Sequence, residues 1–154
     1  MIFRNIYLNV NWSKGGGFSA RDAPRSPGLY AQVYFPEPAV RIGQSSNIRN
    51  RLREATSWAN RMHLGTASVE QLRRPSELCK RVKATGNSGF EYFLISGSPE
   101  LSDKAFRLEC EAFLFGWCVS FAEATGWKNW NEEKVKLNLI PFFEEGIQYF
   151  KKLP

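Results

Sequence analysis

The sequence predicts an α+β fold in which helices flank a small central sheet of three strands, with an N-terminal strand as an extension. Of the 154 residues, 43% are hydrophobic and 14% are aromatic, which is enough apolar material for one compact core. Short runs rich in β-branched and aromatic residues lie between turn residues, as is typical of strands. Longer segments repeat apolar residues every three or four positions, as is typical of helices.

Four segments have the composition of strands. Residues 2–10 are rich in Ile, Tyr, Leu and Val and lead into a Gly15-Gly16-Gly17 run, for which we expect a flexible loop rather than a nucleotide site. Residues 29–35 and 39–43 lie on either side of Pro36-Glu37-Pro38, so we predict a hairpin. Residues 90–95 follow a glycine-containing turn and supply the third central strand.

Four further segments have helical character. Ser45 or Ser46 offers an N-cap to a helix whose apolar residues recur at three- and four-residue steps, namely Ile48, Leu52, Ala55, Ala59 and Met62. A second helix is expected around residues 69–82, with Pro75 starting or interrupting it. Residues 104–124 are apolar on almost all sides, which predicts a buried central helix, and residues 141–152 form a final amphipathic helix.

The net charge of +6 is concentrated in one segment. Residues 47–83 contain three acidic residues and nine basic ones, while the rest of the chain has twelve of each sign. The nine are Arg49, Arg51, Arg53, Arg61, Arg73, Arg74, Lys80, Arg81 and Lys83. A localised positive field favours a polyanionic partner such as nucleic acid, because phosphate contacts release counterions, although a solvated helical face would have the same composition.

Several classes of protein are disfavoured by the sequence. The longest apolar run, residues 112–119, is much shorter than the roughly 20 residues that cross a bilayer. Cys79, Cys110 and Cys118 are odd in number and have no CxxC spacing, so we expect reduced thiols in a cytoplasmic protein. His63 is the only histidine, which leaves a histidine pair or a Ser-His-Asp triad without support.

Four motifs in order resemble the GIY-YIG nuclease family. Gly28-Leu29-Tyr30 and Arg41-Ile42-Gly43 are similar to the two strand motifs of the family's hairpin, and Arg51 follows the second motif by eight residues. Residues 90–95 resemble the family's third strand, and residues 109–115 the helix that presents its metal-binding glutamate. The resemblance implies one nuclease domain over residues 1–154, with an extension at 1–26, a core at 27–131 and a C-terminal helix at 132–154.

The resemblance also implies roles for four residues. Glu111 would hold Mg²⁺ or Mn²⁺, Tyr30 would orient or deprotonate the attacking water, and Arg51 would stabilise the charge on the phosphate. Arg41 stands where the family commonly has a second tyrosine, and this departure puts a two-tyrosine mechanism in doubt, although a cation here could hold the scissile phosphate. From the residues alone, Arg51 could instead pair with Glu54.

Helical spacing leaves two readings of the candidate glutamate. Glu111 shares one side of its helix with apolar neighbours and with Arg107 one turn earlier, so an ion pair at i and i+4 competes with metal binding. Glu109 is the rival carboxylate and projects on the opposite side of the same helix. The spacing in the family's motif and the position of Arg107 on the same side of the helix favour Glu111 as the metal ligand.

The remaining candidate residues are assigned to nucleic-acid binding. Hydrogen bonds to phosphate are expected at the start of the first helix, where free amides favour an anion. Contacts between arginine side chains and phosphates are expected along the helix. These candidates are Gln44, Ser45, Asn47, Arg49 and Arg53. Asn131 resembles a late asparagine that shapes the family's site, with Asn129 as its rival. His63 is expected on the surface at a helix end, although some family members have a histidine near the active site.

We therefore expect a metal-dependent endonuclease that acts on nucleic acid, with DNA as the expected substrate and no membrane association. Two other classes stay open. The chain could be a nucleic-acid-binding module that retains the fold without cleavage, or a protein-interaction domain that uses its aromatic residues and N-terminal strand. Neither the specificity nor the oligomeric state can be read from the sequence, and a dimer is compatible with it.

Overall fold

A computed structural model of the chain describes residues 1–68, 70 and 76–152, and within them the fold is α+β. The main sheet contains the strands β3 (Gly28–Tyr34), β4 (Ala39–Ser45) and β5 (Phe90–Ser96), with β3 in the centre and antiparallel to both neighbours. The predicted hairpin and third strand are thus present. The strand β6 (Lys128–Asn129) pairs in parallel with the start of β4, so the prediction of a three-stranded sheet omitted a fourth strand.

Four α-helices lie within the described residues, namely α1 (Ile48–Leu64), α2 (Glu77–Thr85), α3 (Lys104–Thr125) and α4 (Ile140–Lys151). The predicted bounds of α1, α3 and α4 agree within a few residues. The predicted helix over 69–82 lies partly outside the described residues, including Pro75; its described part is α2, which Ser76 caps by accepting a hydrogen bond from the Cys79 amide. No helix in the described part of the chain combines the length and apolarity needed to cross a bilayer.

The N-cap of α1 corrects one prediction. Asn47, rather than Ser45 or Ser46, caps the helix, since its Oδ1 accepts a hydrogen bond from the Asn50 amide at 3.1 Å. Ser45 instead accepts a hydrogen bond from the Asn47 amide at 3.0 Å and donates to the Asn47 carbonyl at 2.9 Å. The serine therefore fixes the turn that leads from β4 into α1.

The N-terminal segment differs from the predicted single strand over residues 2–10. It forms a hairpin of two short strands, β1 (Ile2–Phe3) and β2 (Ile6–Tyr7), because Arg4 and Asn5 adopt positive φ angles of 48° and 68° and reverse the chain. Phe3 stacks on Phe113 of α3, with ring centroids 4.2 Å apart. The segment predicted as an extension thus contributes side chains to the main core.

The two faces of the main sheet are covered by different helices. Ala31, Val33 and Ile42 project from one face into the core that also contains Phe113 and Leu114 of α3. On the opposite face, Tyr30 and Tyr92 pack with Ile48 and Leu52 of α1. This arrangement brings residues of α1 and of the hairpin together on one side of the sheet, whereas α3 approaches from the other side.

Candidate active site

Tyr30 is a buried residue of β3 whose ring crosses Gly43 on the neighbouring strand. The register pairs Tyr30 with Gly43, and a Cβ atom added to Gly43 would overlap the phenol ring and hydroxyl of the tyrosine. Only glycine leaves room for the ring at this position. The hydroxyl oxygen of Tyr30 accepts a hydrogen bond from Arg51 Nε at 3.1 Å. Two residues that the sequence assigned to one site are therefore in direct contact.

Arg41 lies on the same face of the sheet as Tyr30. Its register partner is Gln32, two residues beyond Tyr30, and alternate residues of a strand share a face. Burial alone would lower the pKa of Arg41, but Tyr30 and the carboxylate of Glu133 outweigh that effect and raise it. Arg41 Nη2 lies 2.6 Å from Glu133 Oε1. This guanidinium is thus both charged and already engaged by a carboxylate.

Arg51 has two partners. Besides the hydrogen bond from Nε to Tyr30, its Nη1 lies 3.9 Å from Glu54 Oε2, in an exposed pair one helical turn apart. The alternative of a Glu54 pair is therefore present as a long contact, alongside the interaction with Tyr30. An exposed pair at this distance is weak, so the guanidinium can exchange Glu54 for a phosphate.

Glu111 is half-buried in α3, and burial is the main cause that raises the pKa of its carboxyl to about 7. Glu133 raises this pKa further, while Arg41, Arg107 and Arg51 oppose the rise. The arginines act on this pKa without a contact, because Glu111 belongs to α3, which packs on the face of the sheet opposite to Tyr30 and α1. Within the described residues, the carboxylate makes neither a hydrogen bond nor an ion pair.

The alternative pairing of Glu111 with Arg107 is absent. Arg107 Nε instead donates a hydrogen bond to Gln44 Oε1 at 2.6 Å, and its Nη1 donates to the Leu101 carbonyl at 2.8 Å. Gln44 is thereby turned towards α3. Glu109, the rival carboxylate, lies elsewhere on the helix beside Asp103 and Phe106.

Asn47 and Arg49, like Gln44 and Ser45, have structural partners, whereas Arg53 has none among the described residues. Asn47 caps α1, and Arg49 Nε donates a hydrogen bond to the Ala23 carbonyl at 2.7 Å, which ties the helix to the segment before β3. Arg53 is exposed and forms no ion pair with any described residue. The geometry therefore distinguishes Arg53 from the other residues, although their role in binding stays a prediction.

Asn131 is bonded to β4, whereas His63 lies near the end of α1. Asn131 Oδ1 accepts a hydrogen bond from the Ile42 amide at 2.6 Å, and its Nδ2 donates to Asn129 Oδ1 at 2.8 Å, so the two asparagines act together to bind the edge of β4. His63 is exposed near the end of α1, and its Nδ1 lies 3.0 Å from the Lys83 carbonyl oxygen. It lines no described part of the cleft beside Arg41 and Arg51.

Three residues near Tyr30 were not singled out from the sequence. Tyr92 of β5 lies with its ring centroid 6.5 Å from that of Tyr30, and burial is the main cause that raises its pKa to about 12. Gln32 is 4% exposed and donates to the Tyr92 hydroxyl over 3.4 Å, and Glu133 pairs with Arg41. The alternation along β3 could have indicated Gln32, whereas Tyr92 and Glu133 depend on tertiary contacts.

An open cleft of about 610 Å³ adjoins the arginines, and we call it the Trp58 cleft. The described residues that line it come from the sheet, α1, α2 and the segment after β6. They include Gln32, Arg41, Arg51, Ala55, Trp58, Arg61, Trp130 and Glu132. The cleft combines three guanidinium groups, three carboxylates and two indole rings beside the contact between Tyr30 and Arg51.

Glu111 has donor chemistry that fits a divalent cation. Its carboxylate oxygens are ligands that Mg²⁺ accepts, and a cation would relieve the unfavourable burial of a charge that no described residue pairs. No group of three or more His, Cys, Asp or Glu side chains within the described residues could hold a metal ion. A cation at Glu111 would accordingly rely on water and substrate oxygens for most of its ligands.

No protein-family model, curated protein or solved structure matches the chain. The geometry of the side chains is therefore the basis on which a function can be inferred.

Proposed function

We propose that this protein is a metal-dependent endonuclease that hydrolyses phosphodiester bonds in DNA. The observation that carries the proposal is the hydrogen bond of Arg51 to Tyr30 on the face of the sheet that also bears Arg41. The half-buried carboxylate of Glu111, which no described residue pairs, is the candidate cation ligand, and its place beside these residues in the complex with DNA is part of the proposal. A tyrosine, two guanidinium groups and a carboxylate supply the functions that phosphodiester hydrolysis requires, namely water positioning, charge stabilisation and a cation ligand.

The side chains of the chain divide the reaction between them. Arg51 and Arg41 bind the non-bridging oxygens of the scissile phosphate and stabilise the additional negative charge of the pentacovalent transition state. Tyr30 orients the attacking water through its hydroxyl group, which the hydrogen bond from Arg51 holds in position. The oxygen of water bonds to phosphorus as the bond from phosphorus to the 3′ oxygen breaks; the attacking water releases a proton to solvent, and solvent water protonates the departing 3′ oxygen.

Glu111 would hold Mg²⁺ or Mn²⁺ in this proposal. A cation bound there would supply Lewis-acid stabilisation of charge on the phosphate. Because the protein contributes one carboxylate there, binding of the cation should be weak without substrate and stronger with it. Glu111 must lose its proton for this role, and its raised pKa makes metal and proton compete at neutral pH.

The topology supports assignment to a GIY-YIG-type nuclease in particular. Two antiparallel strands that carry Tyr30 and Arg41 are followed by the helix of Arg51, and the helix of Glu111 comes after the third strand. This is the order in which the four sequence motifs resemble that family. We include a cytoplasmic location in the proposal on account of three buried, free cysteines.

A catalytically impaired nucleic-acid-binding module is the alternative. The ion pair of Arg41 with Glu133 favours it, because a guanidinium engaged at 2.6 Å must exchange its partner before it can hold a phosphate. Such a module would bind DNA with a steep dependence on salt and leave the backbone intact whatever metal is added.

Nicking of supercoiled plasmid in the presence of Mg²⁺ or Mn²⁺ tests the proposal. Glu111→Gln should abolish nicking, since it removes the charge with little change of shape. Glu109→Gln, two residues away in the same helix, is the matched control and should nick at the wild-type rate. Intact plasmid with bound wild-type protein would support the binding module. Equal nicking by both variants would overturn the role of Glu111.

A further inference from the structure

The Trp58 cleft adjoins the proposed phosphate site and has chemistry that the hydrolysis of a phosphodiester does not use. Trp58 is half-buried and lies seven residues after Arg51 on α1, so the two side chains project from the same side of the helix. Both line the cleft, together with Ala55, which lies between them on that side. The small side chain of Ala55 leaves open space between the guanidinium and the indole.

A second and independent observation comes from the sheet. Gln32 is 4% exposed, yet its amide lines the Trp58 cleft. Its Nε2 makes one long hydrogen bond of 3.4 Å to Tyr92, and no described residue donates to its Oε1. Among the described residues the fully buried side-chain N or O atom without a partner is Trp12 Nε1, so Gln32 Oε1 is open to solvent in the cleft, where a ligand can replace water. Gln32 can therefore donate to a planar polar ligand and accept from it at once.

We propose that the Trp58 cleft binds one unpaired nucleobase of the substrate next to the scissile phosphate. The base stacks on Trp58, and its hydrogen-bonding edge meets the amide of Gln32. This inference rests on the proposed function and extends it, because it assigns to the enzyme a preference for DNA that contains an unpaired or extrahelical base. Aromatic stacking accepts any base, whereas an amide can distinguish base edges.

Charge and size agree with this occupant. The three arginines that line the cleft, Arg41, Arg51 and Arg61, are matched by three glutamates, Glu54, Glu132 and Glu133, so the lining is neutral overall and suits an uncharged base. The carboxylates that line the cleft, Glu54 and Glu132 among them, can accept hydrogen bonds from exocyclic amino groups. A volume of about 610 Å³ lies within the range of small-ligand sites. A paired base could not enter without leaving the stack, so a base that is already unpaired binds at lower cost.

The test compares two duplexes of the same sequence, one fully paired and one with a single extrahelical 2-aminopurine, in buffer with EDTA to prevent hydrolysis. Wild-type protein should bind the second duplex more tightly and quench the 2-aminopurine fluorescence. Trp58→Ala should lower affinity for the extrahelical duplex by about ten- to a hundredfold and abolish the quenching. Affinity for the paired duplex should change by less than about threefold.

Two further variants keep the result interpretable. Trp58→Phe preserves an aromatic face and should retain most of the preference, which separates stacking from loss of folding. Tyr7→Ala removes an aromatic side chain that is 60% exposed in β2 and should behave as the wild type. If Trp58→Ala lowers affinity for both duplexes equally, or for neither, the base site is overturned. Continued nicking of plasmid by the wild-type protein would show that the proposed function is not overturned with it. Failure of the wild-type protein to bind either duplex would overturn the proposed function together with this inference.

Discussion

Replacement of Glu111 by glutamine should stabilise the metal-free protein at alkaline pH. The carboxyl of Glu111 is half-buried in α3 without a hydrogen bond or ion pair to any described residue, and its pKa rises from the ordinary value of 4.5 to about 7. A residue kept for metal binding rather than for stability would have this property, because its charge is unfavourable until a cation binds.

The sign of the pH dependence follows from the direction of the change. Between pH 4.5 and about 7 the folded protein holds a proton at Glu111 that the unfolded chain has lost. The free energy of unfolding is therefore not reduced by Glu111 below pH 4.5, and it decreases as the pH rises through 7. At about 1.4 kcal/mol per pKa unit the difference is about 3 kcal/mol. Partial exposure of the side chain screens the charge, so we expect about 1–2 kcal/mol.

Thermal denaturation in EDTA at pH 5 and pH 8 measures this effect. At pH 8, Glu111→Gln should melt about 3–6 °C above the wild type, and the difference should shrink at pH 5. Addition of Mg²⁺ should raise the melting temperature of the wild type more than that of the variant. A variant that melts below the wild type at pH 8, or a difference independent of pH, would refute the account of an unpaired buried carboxylate.

Three further predictions concern neighbouring residues. Arg51→Ala should lower the rate of nicking at saturating DNA by about a hundredfold or more, and a rate within threefold of the wild type would contradict its role at the phosphate. Arg53→Ala should reduce the slope of log affinity for DNA against log salt concentration by about 1. Arg49→Ala should leave that slope unchanged. It should instead reduce the free energy of unfolding in chemical denaturation by about 1–2 kcal/mol, because Arg49 donates a hydrogen bond to a backbone carbonyl. Gly43→Ala should destabilise the fold by about 1–3 kcal/mol, since the new methyl group overlaps the ring of Tyr30; an unchanged melting temperature would show that the ring does not cross Gly43.

Local patterns in the sequence were sufficient for the main elements of the fold. The hairpin of β3 and β4, the strand β5 and the helices α1, α3 and α4 have apolar periods that are readable within one segment. The short strand β6 has no such period, because two residues cannot alternate. It forms where the amides of Lys128 and Trp130 donate hydrogen bonds to the backbone carbonyls of Pro38 and Val40. The N-terminal reversal was only partly readable, because Asn5 belongs to a residue type that tolerates positive φ whereas Arg4 does not.

The sequence indicated the candidate residues but not the contacts between them, and their action as one catalytic site stays a prediction. Spacing within motifs indicated Tyr30, Arg51 and Glu111, whereas the hydrogen bond between the first two depends on the register of β3 with β4 and on the position of α1. The competing ion pair of Glu111 with Arg107 was equally consistent with helical spacing. Its absence follows from a tertiary contact, because Gln44 of β4 accepts the hydrogen bond of Arg107. Glu133 is distant from Arg41 in the sequence, so their ion pair could not be anticipated.

The most direct test of the central claim is analysis of the ends produced from a labelled DNA duplex incubated with wild-type protein and Mg²⁺ or Mn²⁺. In-line attack by water at the site of Tyr30, Arg51 and Glu111 should give fragments with 5′-phosphate and 3′-hydroxyl ends, in amounts that fall to background with Glu111→Gln. Absence of cleavage with either metal, or cleavage that is unchanged in the variant, would contradict the claim.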